Sequence, residues 1–65
     1  MIKAINIQHR IVVLDDGQAL PIAQLWDGQG QRTSDPDEAL AFVAGTDNFG
    51  YISGQIDQFP VLTIH

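Results

Sequence analysis

Residues 35–45 read Asp-Pro-Asp-Glu-Ala-Leu-Ala-Phe-Val-Ala-Gly and carry signals for both ends of a helix. Asp35 is a favourable N-cap, and Pro36 suits the first helical position, where no amide is needed. Glu38 stands three residues after Asp35, as a capping box requires, and its backbone amide is the expected donor to the Asp35 side chain. Gly45 is the residue type that most often ends a helix. This stretch therefore predicts a short helix of about nine residues.

The apolar residues of the predicted helix indicate which of its faces is buried. At about 100° per residue, four of them share one stripe that should pack on a sheet. These four residues are Ala39, Leu40, Val43 and Ala44. Phe42 lies to the side of that stripe.

Alternating apolar residues predict strands before and after this helix. Residues 3–14 alternate with period two, which favours one long strand or two strands with a bend near residues 8–10. Asp16-Gly17 is a hairpin signal, and residues 18–26 form the return strand. The register that best matches apolar residues sets Val13 opposite Leu20, and Pro21 favours the sheet edge for the return strand.

The second half of the chain has weaker strand patterns. Residues 27–34 are polar and unpatterned, and they predict a loop. Residues 49–56 and 59–65 read as two further strands, the first weakened by two glycines. The expected fold is a single α+β domain over residues 1–65. It has a four-stranded, mainly antiparallel sheet in the order ββαββ, with one short helix packed on one face.

The charge balance excludes several classes of partner. The chain has eight acidic and three basic residues, for a formal net charge of −5, and no cysteine. Nucleic-acid binders and proteins of anionic membrane surfaces need clustered Lys and Arg, which this chain lacks. No apolar run is long enough to span a membrane and no signal-peptide pattern opens the chain, so a cytoplasmic location is expected.

No residue pattern indicates catalysis, a cofactor or a metal. Asp15 and Asp16 suit a hairpin turn, and the acids of residues 35–38 suit a helix start. Residues 27–38 have Asp first and Glu twelfth, as in a calcium-binding EF-hand loop, but Arg32 replaces the required glycine. His9 and His65, the only histidines, have no suitably spaced carboxylate partner. His9 is expected on an apolar strand face, as a core or interface residue. We expect neither an enzyme nor a cofactor.

Two groups of residues are predicted to bind a protein partner. Strand directions in the ββαββ arrangement bring five acids to one end of the sheet: Asp27, Asp35, Asp37, Glu38 and Asp57. Their combined field would attract a basic surface. The second group is aromatic, a class enriched among interface anchors, and consists of Phe42, Phe49 and Tyr51, of which the last two share one face of the predicted strand at residues 49–56. The alternative is that these side chains complete a thin core or cap the sheet edge.

Two stretches of this sequence resemble small bacterial and phage open reading frames. They are residues 15–22 (Asp-Asp-Gly-Gln-Ala-Leu-Pro-Ile) and residues 35–45. In size, acidity and lack of catalytic residues, the whole chain is similar to small phage-encoded anti-CRISPR proteins. This resemblance implies a stoichiometric inhibitor that occupies a basic nucleic-acid-binding surface of a Cas or other nucleic-acid-handling protein. The expected location is then the bacterial host cytoplasm.

A structural role is the alternative function. In the predicted register, Val12, Leu14, Ala23 and Leu25 lie on the sheet face that the helix does not cover. Uncovered apolar faces often mark interfaces. The chain would then be a homodimer, or a small subunit of a bacterial or phage assembly, with no inhibitory role.

Overall fold

The computed structural model describes residues 1–63, which contain six strands, one 3-10 turn and no α-helix. The strands are β1 (Ile2–Asn6), β2 (Ile11–Leu14), β3 (Ala19–Asp27), β4 (Arg32–Thr33), β5 (Ala39–Thr46) and β6 (Gly50–Gln55). The 3-10 turn is Ile56–Gln58. The predicted last strand extends over Ile64 and His65, which lie outside the described residues.

The strands form one antiparallel sheet that curls into a half-barrel. Their order is β1-β2-β3-β5-β6, and the two-residue β4 pairs with β3. The chain then returns to β1, because the Ile5 amide donates to the Pro60 carbonyl at 2.9 Å and the Leu62 amide donates to the Ile5 carbonyl at 2.7 Å. The α+β prediction, with a helix on a four-stranded sheet, is therefore wrong.

The helix predicted over residues 35–45 is replaced by one turn and a strand. The Asp37 amide donates to the Asp35 side chain at 2.9 Å, and the Glu38 amide donates to the Asp35 carbonyl at 3.2 Å. Asp35 thus caps a single turn, and the backbone is extended from Ala39 onward. Turn and helix-start chemistry use the same residue types, so the cap signal could not distinguish them.

Packing explains why residues 39–46 are extended. Phe42 and Ala44 both point to the interior and are 1% and 0% exposed. Leu40 points outward and is 57% exposed. β5 pairs with β3 on one side and with β6 on the other, so both of its edges are hydrogen-bonded. A helix of nine residues is marginal by itself, and this double pairing outweighs its local preference.

Gly45 ends no helix and instead allows a close contact between two strands. It has a φ of +148°, and a Cβ at this position would meet the carbonyl oxygen of Gly50 and come within 2.9 Å of the Tyr51 Cα. Only glycine leaves room for this approach of β5 to β6.

The β2–β3 hairpin is confirmed, but its predicted register is wrong by one residue. Leu14 donates to the Gln18 carbonyl at 2.8 Å, and Gly17, with a φ of +90°, donates to the Leu14 carbonyl. These bonds define a three-residue loop that contains a glycine with positive φ, rather than the predicted two-residue turn. As a result, Val12 pairs with Leu20, where the predicted register set Val13 opposite Leu20.

A one-residue shift moves every side chain to the other face of the strand. Val12, Leu14, Leu20 and Ile22 therefore share the concave face, and a register shift between Ile22 and Gln24 returns Leu25 to that face as well. The face that was expected to remain uncovered is largely the core. The prediction that β3 lies at an edge is also wrong, since β3 pairs with β2 and β5.

Asn6 closes one side of the half-barrel and is the one buried polar residue among residues 1–63. Its amide nitrogen donates to the Leu62 carbonyl at 2.7 Å, and its side-chain oxygen accepts from the His9 amide at 2.8 Å. The side chain thus joins the β1–β2 turn to the terminal segment. Because both the amide nitrogen and the oxygen of this side chain are hydrogen-bonded, burying it costs little free energy.

The extended conformation of residues 39–46 predicts which substitutions destabilise the protein, and a helix over these residues would predict the opposite order. Phe42→Ala should lower the free energy of unfolding by about 3–5 kcal/mol because it empties a buried site, whereas Leu40→Ala should change it by less than about 1 kcal/mol. Urea denaturation followed by circular dichroism measures both. In the helical arrangement Leu40 is buried and Phe42 is not, so a larger loss for Leu40→Ala would contradict this fold.

Candidate protein-binding site at the open seam

The half-barrel leaves a gap between β1 and β6, which we call the open seam. An apolar cleft of about 240 Å³ lies there. Its lining comes from both sides of the gap and consists of Met1, Ile2, Leu14, Phe49, Ile52, Ser53 and Phe59. Apolar clefts on small proteins often bind other molecules, so the seam is the first candidate site.

Two of the three predicted aromatic anchors lie at or beside the seam. Phe49, in the β5–β6 turn, is 48% exposed and lines the cleft. Tyr51 is 55% exposed and does not line the cleft. Phe49 and Tyr51 were predicted to share one strand face, but β6 begins at Gly50, so Phe49 lies in the turn before it. Both side chains are accessible.

Phe42, the third predicted anchor, cannot contact a partner in this structure. It is 1% exposed and packs edge-on against Phe59, with ring centroids 5.9 Å apart. It was expected beside the buried stripe of a helix. The strand conformation instead turns it into the core, so its role is structural.

Strand direction places the five predicted acids toward one end of the sheet. β3 ends at Asp27, and β5 starts directly after Glu38. Asp27 and Glu38 line the same shallow, open depression, together with Gly28 and Gln29. Asp57 lies in the 3-10 turn that follows β6. We call Asp27, Asp35, Asp37, Glu38 and Asp57 the acidic end.

Two of these acids already have structural partners. Asp27 accepts hydrogen bonds from the backbone amides of Gln29 and Gln31 at 2.9 and 3.0 Å. Asp35 accepts one from Asp37, as described above. Asp37, Glu38 and Asp57 are exposed. They are the acids best placed to meet a basic surface.

The structure separates the aromatic group from the acidic end. β5 begins beside Glu38 and ends just before the turn that holds Phe49. At about 3.3 Å per residue, its eight residues place these two regions roughly 25 Å apart. The predicted site is therefore two surfaces, an apolar one at the seam and a charged one at the acidic end.

Tyr51 forms a hydrogen-bonded pair with an acid that sequence reasoning left out of the site. Its hydroxyl donates to the Asp47 side chain at 2.8 Å. This hydrogen bond, together with the negative charge of Asp47, raises the pKa of Tyr51 above 10.0. The pair fixes the orientation of an exposed aromatic ring beside the seam.

The other residues considered for chemistry are dispersed. His9 was expected on an apolar strand face but is exposed in the β1–β2 turn, where its Nδ1 lies 3.1 Å from the Asn6 side-chain oxygen. His65 lies outside the described residues. Within residues 1–63, no three His, Asp or Glu side chains are grouped to hold a metal. No helix in that part of the chain is long and apolar enough to cross a membrane.

Sequence reasoning missed most of the cleft lining. Met1 and Ile2 precede the first predicted strand, Leu14 was predicted on the sheet face that the helix does not cover, and Phe59 was predicted in a last strand. One signal was available, because residues 50–55 contain neither a charged residue nor a proline, which is unusual for an exposed sheet edge.

The Tyr51–Asp47 pair makes a testable prediction. Because the pKa is raised in the folded state, the stabilising effect of the pair is present below pH 10 and is lost as pH rises through the higher pKa. Asp47→Ala should return the pKa toward 10.0, and Asp57→Ala should leave it unchanged. Absorbance of the phenolate measures this directly, since Tyr51 is the sole tyrosine. Equal titration midpoints for the wild-type and Asp47→Ala proteins would contradict the pairing.

No protein-family model matches this chain, and comparisons with curated proteins and with solved structures find no match either. A function for the seam and the acidic end must therefore be inferred from their own geometry and charge.

Proposed function

We propose that this chain is a small acidic protein-binding module that occupies a basic surface of its partner as a stoichiometric inhibitor. The observation that carries the proposal is the apolar cleft at an open strand edge, on a chain with net charge −5. The cleft and Phe49 supply apolar contact area. The acidic end supplies attraction to a basic surface.

The dimensions of the molecule suit this role. Its principal extents are 32 × 28 × 18 Å, and its accessible surface is 4383 Å². An ordinary interface buries about 800 Å² on each partner, or about a fifth of this surface. The similarity in size and acidity to small anti-CRISPR proteins makes a Cas or other nucleic-acid-handling protein the first partner to test.

The second candidate function is a homodimer or a small subunit of a bacterial or phage assembly. The sequence favoured this function because one sheet face was predicted to be uncovered. That argument no longer holds, because Val12, Leu14 and Leu25 are buried in the core. The open seam replaces it as a surface through which the chain can associate. A seam-dependent dimer that shows no response at the acidic end would favour this function.

If the acidic end contacts the partner, removal of its charges should weaken partner binding more than removal of charges elsewhere. A double variant with Asp37→Asn and Glu38→Gln should retain roughly two- to thirtyfold less partner at low salt, since exposed ion pairs contribute about 0.2–1 kcal/mol each. The measurement is capture by the tagged chain from nuclease-treated bacterial lysate, at about 0.05 and 0.5 M salt, with mass spectrometry of the retained proteins.

A matched control removes the same charge from the opposite end of the sheet. The double variant Asp15→Asn and Asp16→Asn should capture the same protein within about twofold of wild type, because asparagine at position 16 can still accept the Gln18 amide. Equal losses in both double variants would show a general effect of net charge. Capture that is independent of salt and of all four acids would contradict the proposal.

A further inference from the structure

We infer that β6 binds an extended basic segment of the partner as an additional strand, with alternate side chains of that segment entering the cleft. This inference rests on the proposed function and specifies how the partner is held. Strand addition at a free sheet edge combines backbone hydrogen bonds with side-chain pockets.

β6 is the free edge of this sheet within residues 1–63. All six of its residues are paired with β5, and no other strand in that part of the chain pairs with it. The edge of β1 across the seam differs, because Ile5 is hydrogen-bonded to Pro60 and Leu62 of the terminal segment. Backbone donors and acceptors are therefore available along β6.

β6 also lacks the features that normally protect an edge. Natural edge strands are blocked by charges, prolines, bulges or very short length. The sequence of β6 is Gly-Tyr-Ile-Ser-Gly-Gln, with no charge and no proline, and its pairing with β5 has no register shift. β1, by contrast, carries Lys3 and a register shift between Ile2 and Ala4.

The cleft provides a subsite for side chains of an added strand. Side chains alternate between the two faces of a strand, so every second residue of the added segment points to the same side. Ile52 and Ser53 of β6 contribute to the cleft, and Ile2, Leu14 and Phe59 complete its apolar lining. A segment with a large apolar residue at every second position matches this arrangement.

The negative charges at the two ends of β6 favour binding of a basic segment over pairing with a second copy of this chain. Asp47 precedes β6 and Asp57 follows it, so both ends of the edge carry a carboxylate. Antiparallel pairing of β6 with itself about Ile52 would bring the turn that holds Asp47 toward the 3-10 turn that holds Asp57 of the other copy, at both ends. Like charges placed across strands are destabilising, whereas lysines on the added strand would be attracted.

The test uses the acetylated and amidated peptide Lys-Val-Lys-Leu-Lys-Val-Lys with the full ¹⁵N-labelled protein. We expect saturable binding, amide shifts centred on residues 50–55, and nuclear Overhauser contacts from the peptide leucine to Ile52. The peptide Glu-Val-Glu-Leu-Glu-Val-Glu should bind at least about tenfold more weakly because its charges are repelled. Replacing the central leucine with proline should weaken binding similarly, since proline cannot donate to the ladder.

Variants of the protein locate the contact. Ser53→Lys places a charge on the edge and should weaken binding of the lysine peptide about tenfold. Ala23→Lys adds the same charge at an exposed position of β3, away from the edge, and should leave binding unchanged. Circular dichroism confirms that both variants fold.

Three results would overturn strand addition. They are no saturation below about 1 mM peptide, shifts that map away from residues 50–55, and a β6-mediated dimer of the protein alone in sedimentation. If the peptide fails while the Asp37 and Glu38 variant still loses a captured protein, the binding mode is wrong and the proposed function stands. If no protein is captured, the proposed function fails regardless of the peptide result.

Discussion

The fold depends on one constraint, which is that a single sheet must cover its own apolar face. Within residues 1–63 no α-helix packs on the sheet, so the concave side of the curled sheet forms the core, with Ile56 and Phe59 packed against it. β3 makes this possible, because its first half pairs with β2 and its second half pairs with β5. The register shift between Ile22 and Gln24 allows both halves to direct apolar side chains inward. A domain of this size buries only about 60% of its unfolded surface, so its stability depends on most of these buried side chains.

The open seam follows from the same constraint. The chain has enough residues to curl the sheet but closes it against β1 only near Ile5, where the terminal segment and Asn6 provide hydrogen bonds. Beyond that point β6 has β5 as a partner on one side and no second strand partner in the described part of the chain, and the apolar interior reaches the surface as a cleft. The acids lie mostly in turns and at strand ends, where they cap backbone amides or meet solvent. An apolar edge bracketed by carboxylates is thus a direct outcome of how this short chain folds.

The sequence predicted the local features of this fold better than its global arrangement. The bend between the first two strands, the Asp16-Gly17 hairpin and the strand at residues 50–55 were foreseen, because turn residues and period-two patterns are local signals. The helix predicted from Asp35 to Gly45 was wrong. The capping residues suit a turn equally well, and the pairing of β5 on both edges favours a strand over a helix. The position of Phe42 and the cleft lining could not be predicted, because both depend on register and on contacts between residues distant in sequence.

Amide hydrogen exchange of the free protein tests the open seam most directly. Amides of β5, and of β3 where it pairs with β5, should exchange slowly because β5 has a strand partner on each side. Along residues 50–55 of β6, protection should alternate, with amides directed at β5 protected and the intervening ones exchanging rapidly. This alternation in dilute solution is the result that we predict. Uniform protection along β6 would mean that its outer edge is already covered, and would contradict the account of the seam as a free binding edge.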